Sequence, residues 1–188
     1  MKKVNILFLI GILFTAITFT SCDKIADEVQ DSIEVTINTD LEAPFIAKPV
    51  TEKANADGGY EFREIIIIDP SQNPDLSDYM EKIQSVEVTG INILVTSIST
   101  TSLVLNNAIF TLTDNVNGSE FVYSTPVNNA ISVGTSFHIG DTDPNWAAVN
   151  QMISDMHSTT LTARGSFNED NFEVGFVYAI SVKVVAKP

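Results

Sequence analysis

Few side chains in this sequence could do chemistry. Two histidines stand apart, His138 within SFHIG and His157 at the end of a predicted helix. A zinc or transition-metal site needs several His, Cys or carboxylate ligands at short spacing. Asp141 and Asp155 are near in sequence, but neither histidine has a second His or Cys beside it, so no metal site is expected. A histidine at a helix end is favoured there by the helix dipole, and that is the role assigned to His157. Serines and threonines abound, yet there is no G-x-S-x-G elbow and no base placed beside a hydroxyl. No phosphate-cradling glycine loop is visible either. Neither a cofactor nor an enzymatic activity is expected.

Carboxylates are plentiful, 24 Asp and Glu in 188 residues, so pairs of them arise easily. A glycosidase needs two at a set separation, and only the structure can supply that. EFRE puts Glu61 and Arg63 on the strand face opposite Phe62. GDTDPN has acids that could bind calcium through loop oxygens, but capping of a following helix accounts for Asp143 better. A sugar-binding surface needs exposed aromatic platforms. Trp146 falls on the apolar stripe of a predicted helix and is expected in the core, and Tyr60, Tyr79, Tyr123 and Tyr178 also fall in apolar registers, Tyr123 least clearly. Tyr123 and Trp146 are the ligand contacts that a glycan-binding surface would require.

The elements that must position these residues are mostly strands. Alternation is clearest at Phe172, Val174, Phe176, Tyr178, Ile180, Val182 and Val184, which share one face of a long strand expected to change neighbours along its length. Further strands are expected over 32–38, 60–68, 85–99, 103–113, 119–124, 131–139 and 159–167. REIIIID lacks alternation at its centre, which predicts a strand buried on both faces. A change of phase after Val88 predicts a bulge at Gly90, Asn117 and Gly118 suit a hairpin turn, and NEDN at 168–171 suits a second one. Two helices are predicted, each with a cap followed by proline. One runs from Asn73 through Leu76, Tyr79, Met80 and Ile83, the other from Asp143 through Trp146, Val149, Met152, Ile153 and Met156. Each leads into a strand and a glycine, Gly90 or Gly165; convergent packing is the commoner cause of such a likeness, and an internal duplication the alternative. The sum is a mainly β domain over residues 32–188, an antiparallel sandwich of about eight strands with two short helices closing its ends or edges. The order of helix, TLTARGSF, turn and long final strand resembles the β-sandwich of late-embryogenesis-abundant-like proteins.

The amino terminus has a different character. Lys2 and Lys3 precede an apolar run from Val4 to Phe19, too short to span a bilayer and suited to a signal peptide over residues 1–21. Cys22, the only cysteine, follows Thr20 and Ser21. FTSC at 19–22 resembles the lipobox of bacterial lipoproteins, with Phe19 where that family usually has leucine. The resemblance implies that the Cys22 thiol carries diacylglycerol and becomes the first residue of the processed chain. It implies a lipid anchor in the envelope of a two-membrane bacterium, the outer membrane favoured over the inner. Several acyl chains make such an anchor durable. Residues 22–31, with Asp23, Asp27, Glu28 and Asp31, read as an acidic tether.

Removing residues 1–21 takes away two of the 10 basic residues and no acid, leaving eight against 24 and a net charge of −16. Nucleic acid is thereby excluded as a partner, because phosphate binding rests on basic side chains. Attraction to an anionic lipid surface is excluded for the same reason. The expected function is that of a lipid-anchored, non-catalytic interaction, adhesion or assembly module with a protein partner in the envelope. The alternative is a surface glycan-binding or glycan-processing lipoprotein, which requires a groove bearing Tyr123 or Trp146 beside paired carboxylates.

Overall fold

The computed structural model describes residues 34–50, 55, 58–100 and 103–187. The predicted signal peptide, Cys22 and the acidic tether lie outside the described residues. Nine strands are found among the described residues, arranged in two antiparallel sheets face to face. Sheet A has the order β1 (Val35–Ala47), β9 (Val174–Ala186), β3 (Ile83–Ile98), β7 (Ser136–Ile139). Sheet B has the order β2 (Tyr60–Ile68), β8 (Thr159–Phe167), β4 (Leu103–Asp114), β5 (Glu120–Ser124), with β6 (Asn129–Ile131) also pairing with β4. The mainly β sandwich read from the sequence is the fold.

Alternation in β9 explains its central place. Val174, Phe176, Tyr178, Ile180, Val182 and Val184 are all buried on the inner face. The strand keeps β1 on one side and β3 on the other along its whole length, so the expected change of neighbours does not occur. Aromatic rings join the two sheets: Phe62 of sheet B stacks at 6.4 Å from Phe176 of sheet A, and Phe110 at 6.2 Å from Tyr178. Offset ring pairs of this kind add to the apolar burial that holds the layers together. The bulge at Gly90 is present, as a register shift between Val88 and Gly90 against β9.

Several expectations are corrected. Strand β1 runs on to Ala47, well past the expected end at Asn38, and inserts Leu41, Ala43, Phe45 and Ala47 into the core. Pro44 is accommodated because β1 is an edge strand, where a missing amide need break no ladder bond. The expected strand 131–139 is two strands in different sheets, β6 and β7, divided by a turn at Ser132–Thr135 in which Gly134 has φ of +89°. The NEDN segment is a crossing from β8 in sheet B to β9 in sheet A, where a hairpin was expected.

The first predicted helix is absent. Residues 74–79 are turns and Met80–Lys82 a single 3-10 turn, with Ile83 already in β3. Asn73 donates to the Asp40 carbonyl of β1 at 2.9 Å while its own carbonyl oxygen accepts from the Asp75 amide at 2.9 Å. These bonds pin the segment to the sheet edge, and of the four stripe residues only Leu76 is buried. The likeness between the two segments therefore loses its helical half. The second helix is real but begins later: α1 spans Trp146–Ser154. Asp143 precedes it in an Asx turn, accepting from the Asn145 amide at 2.8 Å.

Candidate functional site

Sheet B presents its outer face as a shallow groove of about 860 Å³, lined among others by Glu61, Arg63, Thr111, Glu120, Thr162 and Arg164. Alternation along each strand puts these side chains on one face, and register sets them in rows across the sheet. Arg63 of β2 stands opposite Arg164 of β8, which stands opposite Ile109 of β4. The next row holds Ile65, Thr162, Thr111 and Val122, and the one beyond it Ile67, Thr160, Thr113 and Glu120. The groove thus has a cationic centre, threonine walls and one carboxylate towards each end.

Arg63 and Arg164 are the only arginines in the sequence. Both are exposed, and neither has a hydrogen bond or ion pair among the described residues, where the ion pair found is Lys48–Glu173 at 3.0 Å. Glu61 lies two residues from Arg63 on the same face but accepts from Asn55 Nδ2 at 3.3 Å. Like charges directly opposite in a sheet destabilise it, so the pair stands without internal compensation.

The β2 border of the same sheet is open. The Glu61 carbonyl accepts from the Val50 amide at 2.8 Å, away from β8, which fixes the edge-directed backbone groups as those of odd-numbered residues. No backbone partner is found for the outward groups of Arg63, Ile65 and Ile67 among the described residues. Ile65 and Ile67 are 59% and 67% exposed. The expectation that REIIIID is buried on both faces fails here, because β2 is an edge strand and none of the described residues covers its outer face.

The residues predicted from sequence lie elsewhere. Tyr123 stands on the inner side of β5, opposite Phe110, half-buried, and its hydroxyl pKa is raised by burial and by the nearby Asp143 charge. Trp146 is half-buried on α1 against the core. Neither lines the groove, which holds Glu61 and Glu120 towards opposite ends and whose aromatic lining residue, Phe62, is buried. His138 is exposed on β7, its Nδ1 at 2.9 Å from Asn92 Oδ1. His157 has a buried Nδ1 without a hydrogen-bond partner, and its charge acts on Asp114. No group of three or more His, Cys, Asp or Glu is arranged to hold a metal among the described residues.

Asp114 and Arg164 were not singled out in the sequence. Asp114 is buried at the end of β4 and accepts from the Val116 amide at 2.8 Å and Asn117 Nδ2 at 2.9 Å. The Val116 amide is the main cause of its lowered pKa, opposed by burial and helped by Asn117 and His157. It orders the β4–β5 hairpin, where Gly118 alone takes a positive φ, +69°. A second, acid-rich groove of about 620 Å³ lies between residues 39–42 and 67–75, where Asp40, Asp69 and Asp75 each accept hydrogen bonds from neighbouring hydroxyls.

No family model matches the chain, and no curated protein matches it. Among solved structures, it is similar to a decameric BFDV capsid protein at 9% identity and a TM-score of 0.41, over 82% of this chain and 99% of that one. It is also similar to a structure of Mud crab tombus-like virus at 8% identity and a TM-score of 0.40, over 83% of each chain. A third is Desmodium yellow mottle tymovirus, at 6% identity and a TM-score of 0.34, over 81% of this chain and 90% of that one. Similarities this low say nothing of what this chain binds or assembles with.

Proposed function

We propose that this chain is a lipid-anchored protein of the bacterial cell envelope whose β-sandwich is a non-catalytic interaction module, serving an accessory, adhesive or assembly role. The observation that carries the interaction half is the edge of β2, with Ile65 and Ile67 exposed beside backbone groups for which no partner is found among the described residues. Proteins ordinarily cover such edges or blunt them with charge or proline, and an extended segment of a partner can add to one as a further strand, with side-chain pockets giving specificity. The anchoring half rests on the FTSC sequence and on Cys22 being the sole cysteine.

Two experiments test the two halves. Metabolic labelling with an alkyne fatty acid should mark the wild-type protein in membranes and leave Cys22→Ser unlabelled; equal labelling of the mutant refutes the anchor. A photo-crosslinker at position 65 should capture an envelope protein, and Ile67→Lys should abolish capture with little change in stability. Undiminished capture by the lysine variant refutes the edge as the docking surface.

A further inference from the structure

We infer that the Arg63–Arg164 pair on the outer face of sheet B is a receptor for the carboxylate of an acidic glycan, one that carries a sugar-acid carboxylate on an otherwise neutral, hydroxyl-rich chain. In a chain with a net charge of −14 its only two arginines are set directly opposite one another, with no carboxylate bonded to either among the described residues. Departure from a local rule without an internal compensation is the mark of a working site. Guanidinium forks suit a carboxylate because each offers parallel donors to its two oxygens.

What surrounds the pair narrows the ligand. Thr111, Thr113, Thr162 and Asn107 offer hydroxyl and amide groups along the groove, which suits a polyhydroxylated chain. Glu61, one row from the arginines, and Glu120, two rows away on β5, repel a ligand charged along its whole length, while accepting from the hydroxyls of neutral sugars. The groove volume of about 860 Å³ falls within the range of small-ligand sites. It crosses from β2 to β5, about 14 Å at the usual strand spacing, whereas a peptide added at the sheet edge meets β2 alone. Phe62, the aromatic side chain among those lining the groove, is 1% exposed and offers no platform for stacking, so recognition rests on charge and hydrogen bonds. Neutral glycans are therefore refused and binding weakens with salt.

The test is calorimetric titration of the full processed chain in detergent. The probes are glucuronoxylan oligosaccharides, with neutral xylo-oligosaccharides, polygalacturonate and poly-L-glutamate as comparisons. Binding of the uronate-bearing oligosaccharide, weakened about tenfold or more by Arg164→Gln and again by Arg63→Gln, is expected from the loss of a charge-assisted bond each time. Arg164→Lys should bind between the two, keeping charge but losing the fork, and Arg164→Gln should melt no lower than wild type. Arg164→Gln, on β8 and away from the β2 edge, should leave crosslinking at position 65 unchanged, so that failure here is distinct from failure of the edge as a docking surface. Equal binding of the neutral oligosaccharide, tighter binding of poly-L-glutamate or polygalacturonate, absence of binding, or full affinity in Arg164→Gln would each overturn the inference.

Discussion

Replacing Gly165 by alanine tests how closely β4 and β8 are fitted beneath the groove. A Cβ there would lie 2.3 Å from the Asn107 carbonyl oxygen, 2.8 Å from Phe62 Cε1 and 2.9 Å from Ala108 Cα. Two of the three atoms are backbone, at the register shift between Leu105 and Asn107, so no rotamer change relieves the contact. Restoring ordinary separation requires the strands to part by about 1 Å, and overpacking of a well-filled core typically costs about 1–3 kcal/mol. The upper end is expected here, which at about 2–4 °C per kcal/mol is a fall in melting temperature of roughly 6–12 °C. Two companion variants calibrate the result. Gly175→Ala meets Ser97 Oγ at 2.4 Å and Thr96 Oγ1 at 2.8 Å, side-chain atoms that can turn away, and so loses less. Gly118→Ala has open space but a φ of +69°, and should lose about 1 kcal/mol from backbone strain alone. Thermal melts followed by circular dichroism give the order. A Gly165→Ala melt within about 2 °C of wild type, or one above that of Gly118→Ala, refutes the close fit.

Asn150 Oδ1 accepts from the Val88 amide at 2.9 Å and ties α1 to β3 beside the bulge; Asn150→Ala should cost about 1–3 kcal/mol by leaving that amide unmet, measurable by urea unfolding. Because the Asp114 carboxyl is held below its ordinary 3.8, its contribution is complete above that pH and is lost as pH falls through the lower folded value. Melting curves of Asp114→Asn and wild type should therefore converge towards the acid end. Burial raises the Tyr178 hydroxyl above its ordinary 10.0, so its contribution is present below pH 10 and is lost as pH rises beyond it. Tyr178→Phe should resist alkaline unfolding better than wild type, with phenolate absorbance reporting the titration.

The sandwich was legible where one face of a strand is buried along its length. Strand β9 is the clearest case, since each inward residue is apolar and each is buried. Strand β1 was legible only to Asn38, because Asp40, Glu42 and Pro44 look like the end of a strand until its place at the sheet edge is known. The isoleucine run at 65–68 shows the opposite failure, since an apolar residue states its solubility but not whether a neighbour covers it. The helical stripe at 73–83 was sound as a pattern, yet bonds from Asn73 to β1 and the early start of β3 leave no room for a helix. The groove was the least legible. Arg63 and Arg164 become a pair only through the register of β2 on β8, which no local spacing carries, and Tyr123 and Trp146 were noticed for their chemistry while their registers turn them inward.

The central position of β9 also orders events in time. Residues 35–47 find their partner only in 174–186, so sheet A cannot assemble until nearly all of the domain has been synthesised. Pairing over such sequence separation is slow to form. The nascent chain therefore carries its first strand unpaired until the last one emerges, and a truncation before residue 174 leaves sheet A without its centre.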